Sequence, residues 1–259
     1  INLFSHHDTI KAVTSHGIFY NNEGKWTGQP FVSGIINATT DHSQMVWMNN
    51  DKSIWAENGE RIPNPPRTHG RQSITCMYWI DENTLLLGST HGLYSWAGTW
   101  KKITAFPEVK VNAITADKEG ILWVAAEEGL WQKQSGEWLD LDKVGLALGH
   151  ESQYLTVATA ANGEDILFSS PRAIASLASN GSHWLARGSD GLPYGPATKI
   201  LDTDSLLWIG TPKGLIRKGS GWRYYAGKRW LPDDQVNDIL SISPEKVWLE
   251  FLALDLHRT

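Results

Sequence analysis

The chain has 259 residues, 41% of them hydrophobic and 20% charged, with a formal net charge of -5. That length holds one large all-β domain or two smaller ones, and the mild acidity leaves no basic footprint for nucleic acid. The lone cysteine, Cys76, excludes an internal disulfide framework and a multi-cysteine metal site, and no apolar run approaches the roughly 20 residues that span a bilayer.

The chain opens I-N-L-F-S-H-H-D, with no signal peptide. Its first residue is Ile rather than Met, so a processed chain or a piece of a longer one is expected. The opening run, T-I-K-A-V-T-S, H-G-I-F-Y and Trp26 make a first copy of a block that then returns along the chain. The second copy is G-I-I-N-A-T-T-D from Gly34, M-V-W-M-N-N from Met45 and S-I-W-A from Ser53. The third is I-T-C-M-Y-W from Ile74, L-L-L-G-S-T from Leu85, H-G-L-Y from His91 and Trp100. The fourth shows the block most fully: V-N-A-I-T-A from Val111, an Asp-Lys-Glu-Gly turn, L-W-V-A-A, Gly-Leu-Trp and Trp138. The fifth runs from Tyr154 through I-L-F-S-S-P and R-A-I-A-S to Trp184. The sixth is T-K-I-L-D-T-D from Thr198, L-L-W-I-G-T from Leu206, G-L-I-R from Gly214 and Trp222. The seventh has V-N-D-I-L-S from Val236 and V-W-L-E from Val247, then F-L-A-L-D-L-H-R-T, with no recognisable third or fourth strand.

Short period-2 runs bounded by turn residues read as strands. A block returning every few dozen residues is the signature of a propeller or solenoid. The expectation is an all-β, seven-bladed β-propeller forming one domain over residues 1–259, with four-stranded antiparallel blades. Blades start near residues 1, 34, 74, 111, 154, 198 and 236, and the last is incomplete, as if the chain had lost its natural end. Trp47, Trp123, Phe168, Trp208 and Trp248, with Leu86 in the third copy, are expected at one place in the second strand, as blade-to-blade core.

In a four-stranded meander the second-to-third and the fourth-to-first connections emerge on the same face of the ring, where propeller ligands bind. This rule collects His69 and His150 from fourth-to-first connections. It adds His16, His91, Arg172 and Lys213 from second-to-third turns, and Tyr154 at the same rim. The bland readings are equally concrete: His before Gly recurs here as a turn habit, Tyr154 suits packing between blades, and Arg172 suits a loop carbonyl. Glu127 and Glu128 sit in a further such turn, with no second carboxylate at a definable distance. The paired His6 and His7 with Asp8 are weak as a metal site. No cofactor is expected, since the chain lacks the G-x-S-x-G, P-loop and H-E-x-x-H patterns.

The blocks, best at Ile121–Trp131 and Leu206–Arg217, resemble the repeats called two-component regulator propellers. Such propellers occur as sensor domains of membrane kinases, and similar seven-bladed folds occur in secreted polysaccharide lyases, notably the ulvan lyases. The run W-R-Y-Y-A-G-K-R-W-L-P-D-D-Q-V, Trp222–Val236, is similar to the lyase branch. That resemblance implies a His and Tyr pair for proton transfer, supported by another His and an Arg. Carried over, it assigns His69, His91 and Tyr154 as catalytic and Arg172 as the carboxylate holder, with Lys213 and His150 as further substrate-binding residues. The chemistry is β-elimination: a neutral His or a tyrosinate takes the proton beside a uronate, and a bidentate Arg stabilises the enolate-like transition state. The expected function is therefore a monomeric, secreted or periplasmic lyase of an acidic, uronate-containing polysaccharide. The alternative is a non-catalytic, ligand-sensing or protein-interaction propeller of a larger receptor.

Overall fold

The computed structural model of the protein describes residues 2–6, 9–15, 17–30, 34–66, 72–143, 153–178, 181–187 and 196–251. Every regular element among them is a β-strand. The first sheet is β1 (Asn2–His6), β2 (Thr9–Thr14), β3 (Gly17–Asn22) and β4 (Lys25–Pro30). The second is β5 (Asn37–Thr40), β6 (Val46–Asn49), β7 (Ile54–Ala56) and β8 (Arg61–Ile62). The third is β9 (Ile74–Trp79), β10 (Leu85–Ser89), β11 (Gly92–Trp96) and β12 (Trp100–Lys102). The fourth is β13 (Val111–Ala116), β14 (Leu122–Ala126), β15 (Leu130–Gln134) and β16 (Glu137–Asp140). The fifth is β17 (Thr156–Thr159), β18 (Ile166–Ser169), β19 (Ala173–Ala178) and β20 (Gly181–Arg187). The sixth is β21 (Lys199–Asp202), β22 (Leu207–Thr211), β23 (Gly214–Lys218) and β24 (Trp222–Tyr225). Each is an antiparallel meander in sequence order. A seventh sheet has only β25 (Val236–Ser243) and β26 (Lys246–Phe251) among the described residues. Six blades are thus complete among the described residues, so the expected count of seven is not confirmed; the seventh copy, expected to be incomplete, contributes a two-stranded sheet.

The seven inner strands touch in a closed cycle, β1 on β5, β5 on β9 and so on to β21 on β25 and β25 on β1. The ring closes through Asp238, which is 1% exposed. One of its oxygens accepts the Leu3 N–H at 2.6 Å, and the other lies 2.7 Å from the Lys199 ammonium, at ion-pair distance but off the hydrogen-bonding axis. One carboxylate on the seventh sheet therefore ties down its neighbours on both sides.

In the second and fourth blades the Asp turn and the Trp form one device. In the fourth blade Asp117 Oδ1 accepts the N–H groups of Glu119 at 3.0 Å and Ile121 at 2.9 Å, and Oδ2 accepts the Trp123 indole N–H at 3.0 Å. Asp41 does the same for Ser43, Met45 and Trp47, at 2.9, 3.0 and 2.9 Å. The carboxylate closes the turn and gives a buried indole its acceptor, so the ring can enter the core without leaving a polar atom unpaired. In the sixth blade Thr203 stands in place of the Asp, and Trp208 donates instead to the Pro244 carbonyl of the next sheet at 3.2 Å.

These indoles lie between blades. Trp47, Leu86, Trp123 and Trp208 each belong to the core shared with the following sheet. Burying such a side chain, about 200 Å² of surface, contributes roughly 5 kcal/mol of gross hydrophobic stabilisation. The fifth blade departs from the expected register. Leu167 takes this place, opposite Ala158, and packs toward the sixth blade, whereas Phe168, opposite Val157, faces back onto Trp123 and Tyr154. One residue of offset reverses the face of every strand side chain, and aligning aromatic with aromatic conceals it. The Gly of L-L-L-G-S is a close-approach position: a Cβ on Gly88 would lie 2.5 Å from Cys76 Sγ and 2.7 Å from Val111 Cγ1.

Candidate functional site

The second-to-third turns and the fourth-to-first connections share one face, as the meander dictates. The turns are built alike. The Ser89 hydroxyl accepts the His91 N–H at 3.0 Å, Ser170 accepts that of Arg172 at 3.3 Å, and Thr211 accepts that of Lys213 at 3.1 Å. In two of them the same hydroxyl then donates to the carbonyl of the next Gly, Gly92 at 3.0 Å and Gly214 at 2.8 Å. The glycines take φ values of 95° and 145°, which a side chain would strain. The motif Ser/Thr-x-x-Gly-Leu thus holds one residue, immediately before the glycine, out on this face.

At the ring axis a channel of about 610 Å³ runs between the inner strands of all seven sheets. Its wall carries amides and hydroxyls at one recurring position, and these link successive blades. Asn2 Oδ1 accepts the Ala38 N–H at 3.2 Å, and Asn37 Nδ2 donates to the Ile74 carbonyl at 3.2 Å. Asn112 Nδ2 donates to the Tyr154 carbonyl at 2.7 Å, and Thr198 Oγ1 to that of Val236 at 2.6 Å. The pairing register skips Thr75, Asn112 and Asn237, so in three blades this position is a β-bulge that turns a polar side chain out of the ladder. The charged groups lining the channel among the described residues are Lys199 and Asp238, which neutralise each other. Cys76 also lines it, and burial pushes its thiol up to about 12, far from a reactive thiolate.

The residues singled out from the sequence are dispersed. His69, His150 and His16 lie outside the described residues. His91 is half-buried in its turn, with Nδ1 3.0 Å from Thr90 Oγ1. Arg172 and Lys213 are exposed on the same face, and neither has an ion-pair partner among the described residues. Tyr154 is 1% exposed, packs on Phe168 at 5.7 Å between the fourth and fifth blades, and donates its phenol to Asp142 at 2.7 Å. Glu127 pairs with Lys110 at 3.3 Å. Sequence reasoning missed Lys199, Asp238 and the amide ring. The signal for the amide ring was the residue after the first apolar position of each block, Asn or Thr in most copies.

On the opposite face a cavity of about 470 Å³ lies between the fourth and fifth blades, floored by Trp123, Leu141 and Leu177. Two of its three carboxylates are already used, Asp117 by its turn and Glu164 by Lys118. The channel mouth and its turn-borne side chains are therefore the stronger candidate.

No protein-family profile and no curated protein matches the chain. Among solved structures it is similar to the extracellular domain of a one component system from B. thetaiotaomicron, at 15% identity and TM-score 0.76, covering 96% of this chain and 36% of that one. A second extracellular domain, from a hybrid two component system of B. thetaiotaomicron, aligns at 11% identity and TM-score 0.72, covering 96% of this chain and 37% of that one. Streptogramin B lyase aligns at 12% identity and TM-score 0.60, over 83% of this chain and 76% of its own. The chain thus spans about a third of the length of the two extracellular domains. At these identities the likeness shows the propeller fold, and it offers no support for the resemblance to ulvan lyases.

Proposed function

We propose that the chain is a ligand-sensing propeller module of a larger extracellular receptor, with recognition on the face that carries the second-to-third turns. The observation that carries this reading is the alignment of 96% of the chain, at TM-score 0.76, with an extracellular domain of a signalling system of which it makes up 36%. The site geometry supports recognition without chemistry. A proton-transferring Tyr must reach its substrate, whereas the Tyr154 phenol is buried and gives its proton to Asp142. Amides and hydroxyls around the channel suit a hydroxyl-rich ligand such as a carbohydrate. Exposed Arg172 and Lys213 on the same face suit carboxylate groups on it, so an acidic oligosaccharide fits better than a neutral one.

Calorimetric titration of the whole protein with neutral and uronate oligosaccharides tests this, repeated with Lys213→Ala and Arg172→Ala. Saturable binding of a uronate oligomer, weakened about tenfold in each variant, is expected. Failure of the whole panel to bind, or equal binding by both variants, would count against the assignment.

A further inference from the structure

The cavity of about 470 Å³ between the fourth and fifth blades belongs neither to the channel nor to the turns around its mouth. Trp123 of β14 and Gln132 of β15 are cross-strand partners, so their side chains share the face that looks toward the fifth blade. The Trp123 indole is 6% exposed and is held by its hydrogen bond to Asp117 Oδ2, which fixes the floor before any ligand arrives. Leu141, just beyond β16, and Leu177 of β19 extend that floor. The rim is fixed as well. The Lys118 N–H donates to the Gly163 carbonyl at 2.8 Å and its ammonium pairs with Glu164, so two first-to-second turns are tied across the blade boundary. Two polar groups of the lining are left over. The half-buried Gln132 makes no side-chain hydrogen bond among the described residues, and the exposed Glu119 carboxylate has neither a hydrogen bond nor a contact ion pair there.

We propose that this cavity is a second ligand site, built for a small organic amine that carries an apolar ring. Charge sets the sign of the ligand. Three carboxylates and one ammonium line the cavity, an excess of two negative charges, and Glu119 is the carboxylate with no contact of its own. An ammonium beside Glu119 is attracted, whereas a carboxylate in the same place is repelled. The Gln132 amide offers an acceptor to a second N–H of the amine. Trp123, Leu141 and Leu177 take the ring out of water, and the volume falls in the range of about 300 to 1,000 Å³ usual for small-molecule sites. The preference is opposite in sign to that of the face carrying Arg172 and Lys213, so the two faces take different ligands.

The test titrates the whole chain with two probes of one shape and opposite charge, phenethylamine and 3-phenylpropionate. The readout is the indole N–H resonance of Trp123 by NMR, identified by its loss in Trp123→Phe. Phenethylamine should shift that resonance saturably with a Kd of about 1 mM, as befits so small a ligand, and 3-phenylpropionate should bind at least about fivefold more weakly. Glu119→Gln, an exposed change that leaves floor and turns intact, should weaken phenethylamine about threefold to fivefold, and Glu119→Lys should reverse the order of the two probes. Lys213→Ala, on the other face, should leave both affinities unchanged. Equal binding of the two probes, or an order that survives Glu119→Lys, would overturn the proposal. So would the absence of a saturable shift at Trp123 up to about tenfold above the expected Kd, even where other indoles respond.

Discussion

Replacing Asp238 by Ala removes the carboxylate that joins the first, sixth and seventh sheets. Two losses follow. The Leu3 N–H loses a charged acceptor at 2.6 Å in a buried setting, which costs about 1.5 to 3 kcal/mol. Lys199 loses its counter-ion at 2.7 Å, but it is 37% exposed and can turn toward water, so the penalty falls well below the roughly 3 to 5 kcal/mol of a fully buried orphan charge. A total near 3 kcal/mol is expected for Asp238→Ala. Asp238→Asn keeps a neutral acceptor for Leu3 and should lose about 1 to 2 kcal/mol. Urea unfolding followed by tryptophan fluorescence reads these values as shifts of the midpoint at constant slope. A double-mutant cycle with Lys199→Met should return a coupling of about 1 kcal/mol. Asp238→Ala within about 0.5 kcal/mol of wild type would refute the reasoning, because ring closure would then not depend on this carboxylate.

Gly88→Ala places a Cβ 2.5 Å from Cys76 Sγ and should lower stability by about 1 to 3 kcal/mol in thermal melts, since the short Cys76 and Val111 side chains on either side must give way. Cys76, with its thiol raised to about 12 by burial, should resist alkylation in the folded protein near neutral pH and react on unfolding, as followed by mass spectrometry. Burial, with the charge of Asp238 adding to it, raises the Glu250 carboxyl above its ordinary value. The folded chain then binds that proton more tightly than the unfolded one, so this contribution is complete below the ordinary carboxylate value and drains away as pH rises through the raised value. Glu250→Gln should therefore gain stability relative to wild type as pH climbs from 4 to 7, in a series of urea melts. For Asp41 the sign is opposite. Burial raises its carboxyl, but the hydrogen bonds from Ser43, Trp47 and Met45 together outweigh it and leave the net value lowered. Its contribution is present above the ordinary value and lost as pH falls through the lowered one, so Asp41→Asn should flatten the acid limb of the same series.

Strand order and inner-strand positions were legible because each rests on local spacing repeated within the chain. The hydrogen bond from the Trp indole to the turn Asp was not legible, since it forms at Asp41 and Asp117, whereas Asp202, also six residues before a Trp, leaves Trp208 to the Pro244 carbonyl. The slip at Phe168 was not legible, since aromatic identity outweighs a one-residue offset when copies are aligned by eye. Tyr154 was placed correctly at the rim of the fifth blade, but the sequence holds no sign that its phenol turns inward to Asp142, twelve residues earlier in another blade's connection. Asp238 and Lys199 escaped notice for a related reason. Their pairing spans the closure of the ring, and nothing local distinguishes them from other strand polar residues. The positions of His91, Arg172 and Lys213 on second-to-third turns were legible because the meander order alone assigns those connections to one face.

The central claim is that this propeller recognises its ligand without transforming it. The direct measurement is the mass of a uronate oligosaccharide recovered after long incubation with the protein, taken beside the thermal shift that the oligosaccharide produces. A raised melting temperature with the ligand recovered intact is the predicted result. Shorter products ending in an unsaturated uronate, formed at a rate proportional to protein concentration, would contradict it.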